Sequence, residues 1–114
     1  MRVDLPDGQW AELREELTHG QTKRLQRSLI RASKDPAEAG PDIDTEFVAV
    51  YVAAWSLLGV GEVPNDLDAR LPVIDGLPQP IVAELALEAA RLWRGRADPN
   101  ASTASSESGQ LAEV

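Results

Sequence analysis

The longest uncharged stretch of the chain, residues 47–61 (FVAVYVAAWSLLGVG), constrains the fold more than any other feature. A membrane-spanning helix needs ~20 apolar residues, so this stretch is too short to span a bilayer. Its apolar side chains cover nearly the whole circumference of a helix predicted over residues 44–58, a pattern typical of a central helix. Asp42, Asp44 or Thr45 can cap its start, and Gly59 can end it.

A buried strand is the alternative for residues 47–52 (FVAVYV), because β-branched residues favour strands. The length of the segment and its Ala-Ala-Trp continuation favour the helix. Trp55 then lies beside Phe47, Val48 and Val52 on the helical wheel, so we expect it to be buried. The length of 114 residues limits the chain to one domain with a modest core, and only five of its side chains are aromatic, three of them tryptophans.

The N-terminal residues predict a β-hairpin. Val3 and Leu5 alternate with charged residues, and the Pro-Asp-Gly sequence that follows favours a turn. Trp10 and Leu13 are three residues apart, which departs from strict strand alternation. The second strand is therefore expected to bulge or to end near Glu12.

A basic amphipathic helix is predicted next. Thr18 and Gln21 have the spacing of a capping box, so the helix should begin near Thr18. Leu25, Leu29 and Ala32 share one face. The polar side is predicted to be entirely cationic: it carries Lys23, Arg27, Arg31 and Lys34, with Arg24 at its margin.

Proline and glycine divide the remainder of the chain. Residues 34–42 are interpreted as a linker, and residues 59–80, with four Pro and three Gly, as a long connection with helical turns near 66–70. A third helix should begin near Pro80, bury Ile81, Leu85, Ala89 and Leu92, and stop at Gly95. The fold class predicted is mainly α with a short N-terminal β-hairpin, a small α+β domain of about three helices over residues 1–95. Residues 96–114 have almost no bulky apolar side chain and are predicted to be a disordered tail.

The sequence contains no pattern typical of catalytic, cofactor-binding or metal-binding residues. The chain has no Cys, which excludes a disulfide framework, a thiol nucleophile and a Cys-ligated zinc. His19 stands alone and is interpreted as a surface residue. The Gly-X-Gly at residues 59–61 lacks the third glycine and follows a predicted helix, so it fails as a dinucleotide motif. We expect a protein that is not an enzyme.

The basic helix contrasts with the chain as a whole, which has 19 acidic and 11 basic residues and a net charge of −8. One interpretation is internal: residues 35–90 hold eleven acids and one base, Arg70, so the cations can face acids of the same chain. A DNA-binding regulator is a second, but the overall acidity and the lack of aromatic residues among the cations argue against nucleic acid. The third is a protein partner bound by Lys23, Arg24, Arg27, Arg31 and Lys34.

The order of motifs resembles that of small tail assembly chaperones of tailed phages and prophages of high-GC Gram-positive bacteria. The resemblance covers about residues 3–95. It depends on LPDGQWAELRE, on LTHGQTKRLQRSL, on the helix end VAAWSLLG and on LDARLPVIDGLPQPIV before the last helix.

The resemblance implies a protein that binds the tape-measure protein and keeps it soluble during tail assembly. It implies no catalytic group and no cofactor, and it leaves a homo-oligomer open. A head–tail or neck component that forms a ring in the virion is the alternative. The start of the chain, MRVDLPDGQW, has no apolar stretch typical of a secretory signal, so we expect the host cytoplasm and no membrane.

Overall fold

The computed structural model describes residues 1–96 and shows a mostly helical chain with a three-stranded antiparallel sheet of order β1-β2-β3. The elements in chain order are β1 (Arg2–Asp4), β2 (Trp10–Leu13), α1 (His19–Lys34), α2 (Pro36–Ala39), α3 (Ile43–Tyr51), β3 (Val52–Ser56), α4 (Leu67–Asp75) and α5 (Gln79–Arg96). The α+β class is as predicted, but the count of three helices is wrong. Of the tail predicted over 96–114, all but Arg96 lies outside the described residues.

The predicted hairpin is confirmed. β1 and β2 pair antiparallel with Val3 opposite Ala11. The turn between them places Asp7 at φ 63° and Gly8 at φ 76°, the left-handed region that Gly adopts freely and Asp tolerates. β2 ends at Leu13, and its irregularity falls between Glu12 and Leu13, in the pairing with β3.

The long apolar segment changes from helix to strand at Val52, so the prediction of one helix over residues 44–58 is wrong. The backbone of Val52 is extended, with φ −70° and ψ 130°. The strand that follows pairs antiparallel with β2, with Trp55 opposite Ala11. Tertiary pairing thus overrides the helical continuation, because β2 offers β3 a ladder of backbone hydrogen bonds.

Arg70 of α4 stabilises this change of conformation. Its Nη1 donates to the carbonyl oxygens of Ala49 and Val52, at 2.9 Å each, and its Nε donates to that of Pro64 at 2.6 Å. The side chain is buried, with 6% of its surface exposed. Carbonyls at the end of a helix have no partner within it, and here a guanidinium supplies one.

The core surrounds α3 and β3. Val48, Ala49, Val50 and Val52 are fully buried, and α3 packs against α1, α4 and α5. Trp55 is buried as predicted, although it lies on a strand, where its Nε1 donates to the Gly61 carbonyl at 2.7 Å. The prediction that Trp55 is buried is correct, but its predicted position on a helix is wrong.

The two segments interpreted as connections contain helices. Residues 34–42 include α2, which begins after Asp35, whose side chain accepts a hydrogen bond from the Glu38 backbone N–H. Residues 59–80 include α4, nine residues long with Pro72 inside it. Arg70 and Ile74 are buried on α4, so core contacts form this helix despite the proline and glycine around it.

The last helix agrees closely with its prediction. α5 begins at Gln79, and Pro80 occupies the first turn, where a missing N–H costs nothing. Ile81, Leu85 and Ala89 are buried as predicted, whereas Leu92 is half-buried. The helix continues through Gly95 to Arg96, past its predicted end. None of the helices within residues 1–96 is both long and apolar enough to cross a membrane.

Candidate partner-binding face

Helix α1 presents its basic side outward because its start and its inner side are both fixed. The Thr18 hydroxyl accepts from the Gln21 N–H at 3.2 Å, and the Gln21 side-chain oxygen accepts from the Thr18 N–H at 2.8 Å, which confirms the predicted capping box. Leu25 is fully buried and Ser28 is 5% exposed. Leu29 is half-buried on the same side. The opposite side of the helix therefore faces away from the core.

Four of the five predicted binding residues are exposed, as the helical periodicity predicts: Lys23, Arg27, Arg31 and Lys34. Within residues 1–96 none of the four forms a salt bridge. Their positive charges are therefore not matched by any acid of the described chain at contact distance. Their role in binding a partner stays a prediction.

Arg24 differs from these four because it forms ion pairs inside the chain. Its Nε donates to Glu46 Oε1 at 3.0 Å, and its Nη1 donates to Asp68 Oδ1 at 3.0 Å. The Glu46 side chain is only 8% exposed. The hydrogen bond to Glu46, helped by the one to Asp68, raises the pKa of the Arg24 guanidinium. Arg24 thus links α1 to α3 and α4, and its position at the margin of the basic side is the sequence signal for this role.

A groove of about 300 Å³ lies between α1 and α3. It is lined by Arg24, Arg27, Ser28, Arg31 and Glu46. Arg24 neutralises Glu46, so Arg27 and Arg31 leave the groove with a positive charge. Two guanidinium groups one helical turn apart can donate charge-assisted hydrogen bonds to carboxylates of a partner.

Ile30 corrects the prediction that the polar side of α1 is entirely cationic. Its side chain is 55% exposed. At ~100° per residue, Ile30 lies within roughly 60° of Lys23, Arg27 and Lys34 on the helix surface. The exposed side of α1 is therefore an apolar residue flanked by cations. The signal in the sequence is an isoleucine that falls off the stripe formed by Leu25 and Leu29.

A second depression, of about 530 Å³, is apolar and is called the loop groove below. It lies where residues 6–9, 57–60 and 76–81 come together. Its side chains include Leu57, Leu58, Leu77, Pro78 and Ile81, and Asp7 is the charged residue among those that line it. No pattern in the sequence signals this groove, because three loops far apart in the chain form it.

The loop groove has a fixed backbone. The Leu58 N–H donates to Gln9 Oε1 at 2.8 Å, and Gln9 Nε2 donates to the Pro6 carbonyl at 2.8 Å. Gly59 follows at φ 74°, a conformation that glycine adopts without strain. Leu58 is held at the surface with 70% of its area exposed, the largest exposure among the exposed large apolar residues of the described chain.

The titratable residues show no grouping for metal chemistry in the part of the chain that the structure describes. No three His, Asp or Glu side chains of residues 1–96 are placed to hold a metal ion together. His19 is exposed at the first position of α1. The expectation that the chain has no catalytic, cofactor or metal site stays a prediction.

Comparisons with protein-family models, with curated proteins and with solved structures gave no match.

Proposed function

We propose that the chain is a non-enzymatic tail assembly chaperone of a tailed phage or prophage, which binds the tape-measure protein in the host cytoplasm. The observation that carries the proposal is a set of four exposed cations on α1 that form no salt bridge within residues 1–96, in a chain whose net charge is −8. The resemblance of residues 3–95 to such chaperones supports the identity of the partner.

The internal interpretation of the basic helix accounts for Arg24 alone. Arg24 binds Glu46 and Asp68, so acids of residues 35–90 do face the helix. Lys23, Arg27, Arg31 and Lys34 form no such pair within residues 1–96. Exposed cations of this kind contribute little to stability, because solvent-exposed ion pairs are worth only ~0–1 kcal/mol. Their charge is better suited to recognition.

The geometry favours a partner segment that bears carboxylates. Arg27 and Arg31 lie on the same wall of the groove between α1 and α3. Acidic side chains on one face of a partner helix can approach both guanidinium groups at once. Complementary charge of this kind speeds association and excludes partners with the wrong charge.

The test is co-expression of the chain with a candidate tape-measure protein. The double variant Arg27→Glu and Arg31→Glu reverses the charge of the groove, and we expect the captured soluble partner to fall at least ~10-fold, since like charges in an interface cost several kcal/mol. Arg91→Glu with Arg94→Glu makes the same change of charge on the exposed side of α5; because it also breaks the Arg91–Glu88 ion pair, it serves as the control once circular dichroism shows that it is folded. Equal capture by the wild type and by the folded α1 variant contradicts the proposal.

The composition of purified particles distinguishes the chaperone from the alternative, a component of the virion. A chaperone leaves the tail before the particle is complete, so mass spectrometry of virions should not detect this chain. Stoichiometric amounts in virions would favour the ring-forming neck component instead.

A further inference from the structure

We infer that copies of this chain associate head to tail, with the Ile30 side of α1 of one copy seated in the loop groove of the next. Ile30 and Leu58 are exposed apolar residues, at 55% and 70% of their surface. They lie on different elements, one on a helix and one on a loop. Contact of these apolar side chains with water is unfavourable. Docking of Ile30 of one copy against Leu58 of the next removes both from water at once.

The charges of the two surfaces are complementary. Ile30 is flanked by Arg27 and Lys34, three residues before it and four after it on the same helix, and neither pairs within residues 1–96. The loop groove is lined by apolar side chains and by Asp7, with no cation among its lining residues. Asp7 is exposed in the turn after β1. An incoming Ile30 therefore brings its cations to the acidic rim.

The other exposed apolar side chain does not fit the groove as well. Leu87 of α5 is 46% exposed. At the spacings used for Ile30, Glu84 lies three residues before it and Arg91 four after it, and Arg91 is already paired with Glu88 at 2.8 Å. A docked Leu87 would place Glu84 near Asp7, and the two carboxylates repel. The chain thus favours Ile30 as the occupant on the sign of the neighbouring charges.

The same charge argument excludes pairing of two loop grooves. A two-fold contact between grooves would place Asp7 against Asp7 with no cation between them. A contact between two different surfaces leaves one of each free, so it continues into a ring or an open chain. One apolar residue in a groove buries far less than the ~1,600 Å² of a standard interface, so we expect a weak association, roughly 10 μM to 1 mM.

The experiment is sedimentation velocity of the full chain at roughly 10 μM to 1 mM, the range in which such weak contacts form. The wild type should grow with concentration beyond the dimer. Ile30→Asp removes the inserted residue and Leu58→Asp places a charge in the groove, so each variant alone should stay monomeric over this range. Leu87→Asp is the matched control and should associate like the wild type.

The decisive arm is an equimolar mixture of the two monomeric variants. Ile30→Asp retains an intact groove and Leu58→Asp retains an intact Ile30, so they should form a one-to-one dimer that does not grow. A monomeric wild type, association unchanged by either substitution, or a mixture that stays monomeric overturns the inference. Should either aspartate variant lose its circular dichroism, Ile30→Ser and Leu58→Ser replace it in the same mixture.

The inference goes beyond the proposed function, because no client protein takes part in it. Leu58→Asp leaves the four exposed cations of α1 unchanged, so it should still capture the tape-measure protein. Capture without self-association leaves the chaperone proposal intact, and self-association without capture contradicts the chaperone proposal alone.

Discussion

The segment from Ile43 to Ser56 and helix α1 pack against the rest of the molecule to very different extents. In α3 and β3 most side chains are buried, and five residues of β3 complete the sheet. In α1, sixteen residues long, only Leu25 and Ser28 are buried. The first region packs against β2, α1, α4 and α5, whereas the second is attached along one side. The difference indicates that α3 and β3 contribute most to stability, whereas α1 leaves an exposed side, on which partner binding is proposed.

Two arginines show the same contrast at the level of one side chain. Arg70 is 6% exposed and donates to three backbone carbonyls, and burial lowers the pKa of its guanidinium. Arg27 is exposed and forms no salt bridge within the described chain. A guanidinium can thus complete a fold or remain available to a partner, depending on whether acceptors surround it.

The largest effect is expected at Trp55. Trp55→Ala removes a buried ring and the hydrogen bond of its Nε1 to Gly61, so we expect the free energy of unfolding to fall by about 3–5 kcal/mol. Chemical denaturation measures the change, with the exposed β3 residue Ser56→Ala as control. A wild-type midpoint for Trp55→Ala would show that β3 is not part of the stabilising core.

Arg70→Met should have the next largest effect. The substitution keeps the apolar length of the side chain but leaves the carbonyls of Ala49, Val52 and Pro64 without a donor, which should cost about 2–3 kcal/mol. Arg94→Met, at an exposed position of α5 that forms no salt bridge within residues 1–96, is the matched control and should change stability by less than ~0.5 kcal/mol. Equal denaturation midpoints for the two variants would show that Arg70 does not stabilise the change from helix to strand.

The sequence predicted the parts of the fold that local chemistry decides. The hairpin follows from its Pro-Asp-Gly turn, α1 from the Thr18–Gln21 capping box, and α5 from its apolar stripe. These signals act within a few residues of the chain. The exposure of Lys23, Arg27, Arg31 and Lys34 follows from the helical period in the same way.

The features that were missed depend on residues far apart in the sequence. The helix ends at Tyr51 because β2 pairs with residues 52–56 and Arg70 binds the last carbonyls, and neither contact is visible in the apolar pattern. Arg70 is the one base between residues 35 and 90, which is a sequence signal that it has a specific internal role. The loop groove has no such signal, because it exists only where three loops meet.

The two ion pairs of Arg24 should contribute unequally to the free energy of unfolding, and both effects should be smaller than that of Arg70→Met. Glu46→Ala removes a carboxylate that is 8% exposed and leaves Arg24 with Asp68, so we expect a loss of about 1–2 kcal/mol. Asp68→Ala removes a carboxylate that is 74% exposed and should cost less than ~1 kcal/mol. The ratio of the two losses, measured by urea denaturation, tests whether α1 is attached mainly through α3. A larger loss for Asp68→Ala would move that attachment to α4.

The smallest effect on stability is expected where the largest effect on binding is proposed. Arg27→Glu with Arg31→Glu breaks no salt bridge within residues 1–96, so the free energy of unfolding should change by less than ~1 kcal/mol at physiological salt. The added negative charge increases repulsion within an already acidic chain, but salt screens exposed charges beyond ~8 Å. Thermal denaturation at low and at physiological salt measures both terms.

A folded double variant that no longer captures its partner would separate the two regions as proposed. A variant that unfolds even at physiological salt would mean that the cations of α1 stabilise the fold through attraction to acids of the same chain. In that case α1 and the α3–β3 segment would both serve to stabilise the fold, and the proposed division between stability and binding would be wrong.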